Sequence, residues 1–299
     1  MPNDADTLTE AQSAVRARES TYRASDGCEL HVIEWASSDP DWNPSVVVVV
    51  VHGYAEYSAR YADLAHQLVR QGYLVTGMDA RGHGQSPGQR GHIATYERYI
   101  DDLYEFVQAL HKRHSTCGLV VLGHSHGGLT ALRMVQSRPA LIDALVLSSP
   151  LVELQPSQQP VPFWFARLLS RFVGALPLPS GLKSSDLTHD RVIMEKHARD
   201  PLIHKRSTPR WYVSAMRTMR AAMNDVTRVT LPVLVIVAEK DRIVRPDGVK
   251  RMFQGLASTD KELVVCPGAF HEVLNEIDRA KLFGTIGRWL SSRVGSKAA

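Results

Sequence analysis

Residues 46–51 read VVVVVV. Successive side chains of a strand point to opposite faces, so six valines in a row leave no face suited to water. The run is also far too short to cross a bilayer, which takes about 20 apolar residues. Such a strand has to be covered on both sides, which is the situation of a parallel sheet between layers of helices. Further short apolar runs repeat the signal: LHVIEW (30–35), YLVTGMD (73–79), LVVL (119–122), ALVLSS (144–149), VLVIV (233–237) and ELVVC (262–266). Helical patterns alternate with them. In residues 93–110, Ile93, Tyr96, Ile100, Leu103, Val107 and Leu110 recur at spacings of three and four, one stripe of a helix. Similar stretches run over about 59–70, 127–137, 247–256 and 277–290. Strand and helix in alternation predict a doubly wound α/β sheet.

The alternation stops between about Pro150 and Thr230. That segment carries several prolines, the aromatic-rich stretches PFWFARLLSRF and RWYVSAM, and no clear strand. A helical insertion there is expected to sit over the carboxyl ends of the strands, where open α/β sheets bind ligands. The expected organisation is a disordered tail over 1–20, a core over 21–149, a helical cap over 150–230, the rest of the core over 231–292, and a second tail over 293–299.

Composition narrows the function classes. With 44% hydrophobic and 22% charged residues the chain has an ordinary globular balance. The net charge of +4 is small and its basic residues are scattered, so no nucleic-acid partner is expected. Cys28, Cys117 and Cys266 are odd in number and far apart, which offers neither a disulfide framework nor zinc spacing. They read as small buried hydrophobes in a reducing compartment. The first twenty residues hold no apolar signal region, and a cytoplasmic location is expected.

The chemistry is concentrated in VVLGHSHGGL (120–129). A strand, then G-H-S-H-G, then a helical run is the setting of a nucleophile elbow. Gly123 and Gly127 let the chain reverse sharply, leaving Ser125 at the apex above a helix N-terminus whose N–H groups suit a developing oxyanion. A serine hydroxyl needs a base, and the base needs an orienting acid. In α/β-hydrolases these follow in the order serine, acid, histidine. Asp241 in AEKDRIV follows one late strand and His271 in PGAFHEV follows the last. Glu239 and Asp247 are rival acids, but Glu239 lies closer to the strand and Asp247 is placed to start a helix. The loop after the valine strand, HGYAEYS, supplies the other half of an oxyanion hole. The backbone N–H groups of Tyr54 and His126 are its expected donors.

Taken together, HGYAEYSARY, DARGHGQSPGQRG, GHSHGG, DPL, EKDRIV and GAFHEV resemble the monoacylglycerol lipase and lysophospholipase branch of the serine α/β-hydrolases. The likeness covers about residues 25–292, with the motifs in matching order and spacing. It implies an α/β-hydrolase fold, with a mostly parallel central sheet, flanking helices and a helical cap. It also implies esterase chemistry on small mono-acyl lipid esters with no cofactor, and it places nucleophile, acid and base on Ser125, Asp241 and His271. His126 departs from the methionine that many relatives carry there.

Other readings stand beside this one. His124 and His126 diverge across a turn with no Cys, Asp or Glu cluster near them, so no metal site is expected. His83 is read as bracing a loop, and His52 as orienting the oxyanion loop. Phe163 and Trp164 have two readings, as cap packing or as an apolar lip that admits an acyl chain and touches membranes or micelles transiently. Glu153 is read either as a hydrogen-bond partner of a glycerol head or as a solvated rim residue. The expected activity is hydrolysis of monoacylglycerols to fatty acid and glycerol through an acyl-enzyme. A lysophospholipase, a general carboxylesterase and a non-catalytic ligand-binding protein on the same fold are the alternatives. Oligomeric state is left open.

Overall fold

The computed structural model describes residues 15–138, 140–159 and 161–295. Eight strands form one sheet in the order β1-β2-β4-β3-β5-β6-β9-β10. They are β1 (Val15–Arg23), β2 (Glu29–Ser37), β3 (Val46–Val51), β4 (Tyr73–Met78), β5 (Gly118–His124), β6 (Ala144–Ser148), β9 (Val233–Ala238) and β10 (Lys261–Cys266). β1 and β2 run antiparallel to their neighbours, and the other adjacent pairs are parallel. The valine run is β3, paired on both edges and covered on both faces. Val47 and Val49 face one core, with Leu103 and Phe106 of α2 (Glu97–Arg113) and Leu129 and Leu132 of α3 (His126–Ser137). Val46, Val48 and Val50 face the other, with Leu64 and Leu68 of α1 (Ala62–Val69). A strand covered on both faces therefore takes apolar residues at successive positions, because both sets of side chains meet helices.

Between β6 and β9 the chain leaves the sheet. It forms α4 (Phe163–Phe172), β7 (Leu178–Pro179), α5 (Arg191–Arg199), β8 (Arg206–Ser207) and α6 (Pro209–Asn224). β7 and β8 make a small antiparallel pair of their own that the sequence pattern did not reveal. Thr208 caps α6 by accepting the Trp211 N–H at 3.3 Å, and Pro209 occupies the first turn, where its missing N–H costs nothing. After β9 come α7 (Pro246–Gly255) and, after β10, α8 (Arg279–Ser291).

Two ends differ from the expectation of tails. β1 begins at Val15, inside the stretch read as disordered, and pairs residue for residue with β2 from Val15↔Ser37 to Arg23↔Glu29. Its sequence, VRARESTYR, has no apolar alternation because it is an exposed edge strand held by backbone bonds. Residues 1–14 lie outside the described residues. At the other end Val294 is buried and Arg293 pairs with Asp260 at 2.9 Å, while 296–299 lie outside the described residues.

Candidate active site

β5 ends at His124 and α3 starts at His126, so Ser125 occupies the whole turn between them. It has φ +52° and ψ −115°, a conformation that L-residues rarely adopt. The turn is closed by tight approach: a Cβ on Gly127 would lie 2.1 Å from the Val51 carbonyl oxygen. Only hydrogen fits there. Among the described residues three non-glycine residues have positive φ: Ala55, Ser125 and Ser149. All three lie in loops at the carboxyl end of the sheet, around the same spot.

The Ser125 hydroxyl lies 2.7 Å from His271 Nε2, and His271 Nδ1 lies 2.7 Å from Asp241 Oδ2. Each of the three is buried. Asp241 is itself fixed, since its Oδ1 accepts the N–H groups of Ile243 at 2.8 Å and Val244 at 2.9 Å. With Nδ1–H donated to the carboxylate, Nε2 keeps its lone pair toward Ser125. Burial pulls the His271 pKa down, but the Asp241 charge and hydrogen bond outweigh it and leave the imidazole above its usual value. The rival acids sit elsewhere: Glu239 accepts the Gly268 N–H at 2.8 Å, and Asp247 lies in the first turn of α7.

The N–H of His126 is the first of α3 and has no partner within its helix. Opposite it, the loop carrying Tyr54 is held from several sides. His52 donates Nδ1–H to the Gly53 carbonyl at 2.7 Å and accepts the Ala80 N–H on Nε2 at 2.9 Å, an assignment that satisfies both nitrogens. The buried Glu56 accepts the Gly53 N–H at 2.6 Å and the Tyr61 hydroxyl at 2.7 Å. Arg60 donates to Glu56 and makes a forked pair with Glu272, at 2.7 Å for its Nη2. Glu272 follows His271 directly, so one guanidinium ties the loop carrying Tyr54 to the loop carrying His271. Sequence reading missed this clamp, although Glu56 and Arg60 stand four apart in HGYAEYSARY and Glu272 completes GAFHE.

The two histidines beside Ser125 are buried. His124 Nδ1 lies 3.1 Å from the Ser148 hydroxyl, and His126 Nδ1 lies 2.6 Å from the Tyr96 hydroxyl. Burial and the neighbouring His271 pull His124 down to about 4, and burial with His52 and His204 pulls His126 down to about 3. Both rings are neutral at pH 7. Among the described residues no group of three or more His, Cys, Asp and Glu is arranged to hold a metal ion. His83 Nδ1 bonds the Arg81 carbonyl at 3.0 Å, and its ring stacks on that of His126.

A cavity of about 250 Å³ opens above Ser125, between core and cap. Its walls are mainly apolar and include Leu154, Val161, Ala166, Leu169, Trp211 and Met219. The residues expected to touch substrate are placed otherwise. Phe163 and Trp164 are not in the cavity wall; Trp164 is 69% exposed on the outer side of α4. On that helix the inward positions are Ala166 and Leu169, a face offset from the aromatic pair. Glu153 is held by Arg245 at 3.1 Å and by Arg251, which directs its carboxylate away from the cavity. No helix among the described residues is long and apolar enough to cross a membrane.

The family model described as serine aminopeptidase, S33 (Hydrolase_4), matches residues 43–278. The chain belongs to that family. It is a serine hydrolase with an α/β-hydrolase fold. It is 31% identical to the monoacylglycerol lipase of Mycolicibacterium smegmatis over 85% of this chain and 91% of that one. It is also 31% identical to the phospholipase YtpA of Bacillus subtilis, over 80% of this chain and 93% of that one. Among solved structures, the monoacylglycerol lipase of Paleococcus ferrophilus superposes with a TM-score of 0.81 at 31% identity, covering 89% of this chain and 99% of that one.

Proposed function

We propose that this serine hydrolase cleaves monoacylglycerols to fatty acid and glycerol, with Ser125 as nucleophile, His271 as base and Asp241 as orienting acid. Ser125 attacks the ester carbonyl as its proton passes to His271 Nε2. Asp241 holds the imidazole in the required tautomer and stabilises the imidazolium that forms. The tetrahedral oxyanion rests on the N–H groups of Tyr54 and His126, each such donor contributing about 2.7–4 kcal/mol of transition-state stabilisation. The alcohol leaves with the proton from His271, and water then hydrolyses the acyl-enzyme by the same route. The observation that carries the reading is the Ser125–His271–Asp241 chain of 2.7 Å contacts at the floor of an apolar cavity. Such walls favour an aliphatic chain, because each buried CH₂ contributes about 0.8 kcal/mol. The monoacylglycerol lipases among the relatives support the same substrate class.

Contact with lipid surfaces belongs to this reading. Trp164, Leu168, Phe172 and Leu176 are 49–74% exposed on and just after α4, beside the cavity. Together they form an apolar lip through which a lipid surface delivers its substrate. The deciding experiment is hydrolysis of 1-monoacylglycerols and p-nitrophenyl esters by wild type and by Ser125→Ala. Turnover by wild type with loss in the variant sustains the reading; equal behaviour of the two proteins overturns the nucleophile assignment.

A further inference from the structure

In the loop after β3, core and cap hold adjoining peptide units from opposite sides. A peptide is planar, so the Gly53 carbonyl and the Tyr54 N–H point in opposite directions, and fixing one aims the other. The core fixes the carbonyl, which accepts His52 Nδ1–H at 2.7 Å. The Tyr54 N–H makes no hydrogen bond to the described residues, and Gly53, Tyr54 and Ala55 all line the cavity together with Ser125.

The cap takes hold of the same loop. The His204 N–H donates to the Ala55 carbonyl at 3.2 Å, and the Tyr54 hydroxyl donates to the Arg206 carbonyl of β8 at 2.7 Å. The Tyr54 ring packs against Trp211 in the first turn of α6, with centroids 3.9 Å apart, and His204 lies edge-on to it at 5.2 Å. Burial raises the Tyr54 phenol well above its usual value, so it stays protonated and remains a donor. Room for this bond is made by a glycine. A Cβ on Gly91 would stand 2.3 Å from the Arg206 carbonyl oxygen and 2.9 Å from the Tyr54 hydroxyl. The Gly91 carbonyl in turn accepts the Thr208 N–H at 3.0 Å. Three segments far apart in sequence thus converge on one hydroxyl. The loop they hold includes Ala55 at φ +68°, a strained conformation that persists only where its surroundings over-determine it.

We propose that Tyr54 is a positioning residue through its side chain, and that the cap completes the oxyanion hole by seating the Tyr54 hydroxyl on the Arg206 carbonyl. With that contact made, the Tyr54 N–H is held where the oxyanion forms; without it, the N–H loses its aim. The cap is then a working part of the reaction as well as a cover. Substrate has to enter while residues 204–211 stay seated, past the exposed side chains of α4 rather than by a lifting of the whole cap. The inference rests on the roles given above to Ser125 and to the Tyr54 N–H.

The test is Tyr54→Phe, which removes the hydroxyl and keeps the ring. Turnover of a dissolved p-nitrophenyl ester is measured per serine labelled to completion by a fluorophosphonate, so that unfolded protein is not counted. Binding is measured with two probes of equal chain length. An alkyl boronic acid becomes tetrahedral on Ser125 and places an oxygen where the oxyanion sits, whereas a fatty alcohol only fills the cavity. The expected result is that kcat and boronate affinity fall together, about ten- to a hundredfold, as misplacement of one donor requires. KM and alcohol affinity should stay within about twofold, because the ground state does not use that donor. Gly91→Ala attacks the same bond from its other side and should give the same split between kcat and KM. Wild-type kcat and boronate affinity in Tyr54→Phe would overturn the inference. Equal losses for boronate and alcohol would overturn it too, reducing Tyr54 to a piece of the cavity wall. Labelling and turnover of wild type in the same assay keep these failures distinct from failure of the nucleophile assignment.

Discussion

Replacing Arg60 by methionine removes the cation that pairs with two buried carboxylates. Glu56 and Glu272 are 3% and 5% exposed, and Arg60 bonds both. Methionine keeps the reach of the side chain and loses the charge, so both acids lose their counter-ion and keep only their neutral donors, Gly53 and Tyr61 for Glu56 and Asn275 for Glu272. Breaking a buried pair from one side costs about 3–5 kcal/mol, a large part of the about 5–15 kcal/mol that holds a domain together. The penalty has a pH signature. Burial pushes the Glu272 carboxyl up, but the charge and hydrogen bonds of Arg60 outweigh it and hold the group well below its usual 4.5. A depressed folded value stabilises the wild type above pH 4.5 and fades as pH falls toward the folded value. In Arg60→Met the guanidinium no longer outweighs the burial, so the Glu272 pKa rises from its depressed wild-type position and protonation relieves the variant as pH falls. Urea unfolding of both proteins from pH 7 down to about 4 should therefore show a gap widest at pH 7 and narrowing steadily below pH 5. A gap under about 1 kcal/mol at pH 7, or one independent of pH, would refute the claim that Arg60 neutralises two buried acids. Turnover should fall too, because the clamp joins the loops carrying Tyr54 and His271.

Other expectations follow from single contacts. The His271 imidazole has to be neutral to accept the serine proton, so kcat/KM should fall as pH drops through a midpoint above 6.5. Asp241→Asn should lower that midpoint by removing the strongest influence that raises it, and should lower kcat about 10⁴-fold; a pH–rate profile that does not shift would count against the Asp241 role. Gly127→Ala forces a Cβ to 2.1 Å from the Val51 carbonyl and should yield a protein that either fails to fold or loses several degrees of Tm together with activity, read by thermal denaturation. Replacing Trp164 and Phe172 by serine should leave turnover of a dissolved p-nitrophenyl ester within about twofold while weakening sedimentation with phosphatidylglycerol vesicles; equal sedimentation would remove α4 from the lipid-facing surface.

Patterns that obey short-range rules were legible in the sequence. The valine run announced a sheet covered on both faces, and Ser125, Asp241 and His271 stood after strands in an order that the structure converts into two 2.7 Å contacts. Interactions spanning the chain were not legible. Arg60 and Glu272 are 212 residues apart, and no local pattern says that two loops share one guanidinium. β1 escaped notice because an edge strand exposed on both faces needs no apolar alternation. In the cap, PFWFARLLSRF signals an amphipathic helix but not its rotation, and a shift of a few residues decides whether Trp164 or Leu169 meets the cavity. Glu153 lacked any sign of Arg245 and Arg251, of which Arg251 lies 98 positions along.

The three left-handed residues carry one further implication. Ala55, Ser125 and Ser149 each occupy backbone conformations that glycine accepts and other residues resist, at a cost of order 1–3 kcal/mol apiece. Ser125 carries the proposed nucleophile and Ala55 lines the same cavity, so strained backbone and the proposed site coincide. A lineage freed from the need to turn over substrate would gain stability by letting glycine replace Ser125, with the surrounding fold unchanged. Serine at that angle trades stability for the proposed chemistry, and the inactive Ser125→Gly form of this chain would be the sturdier molecule.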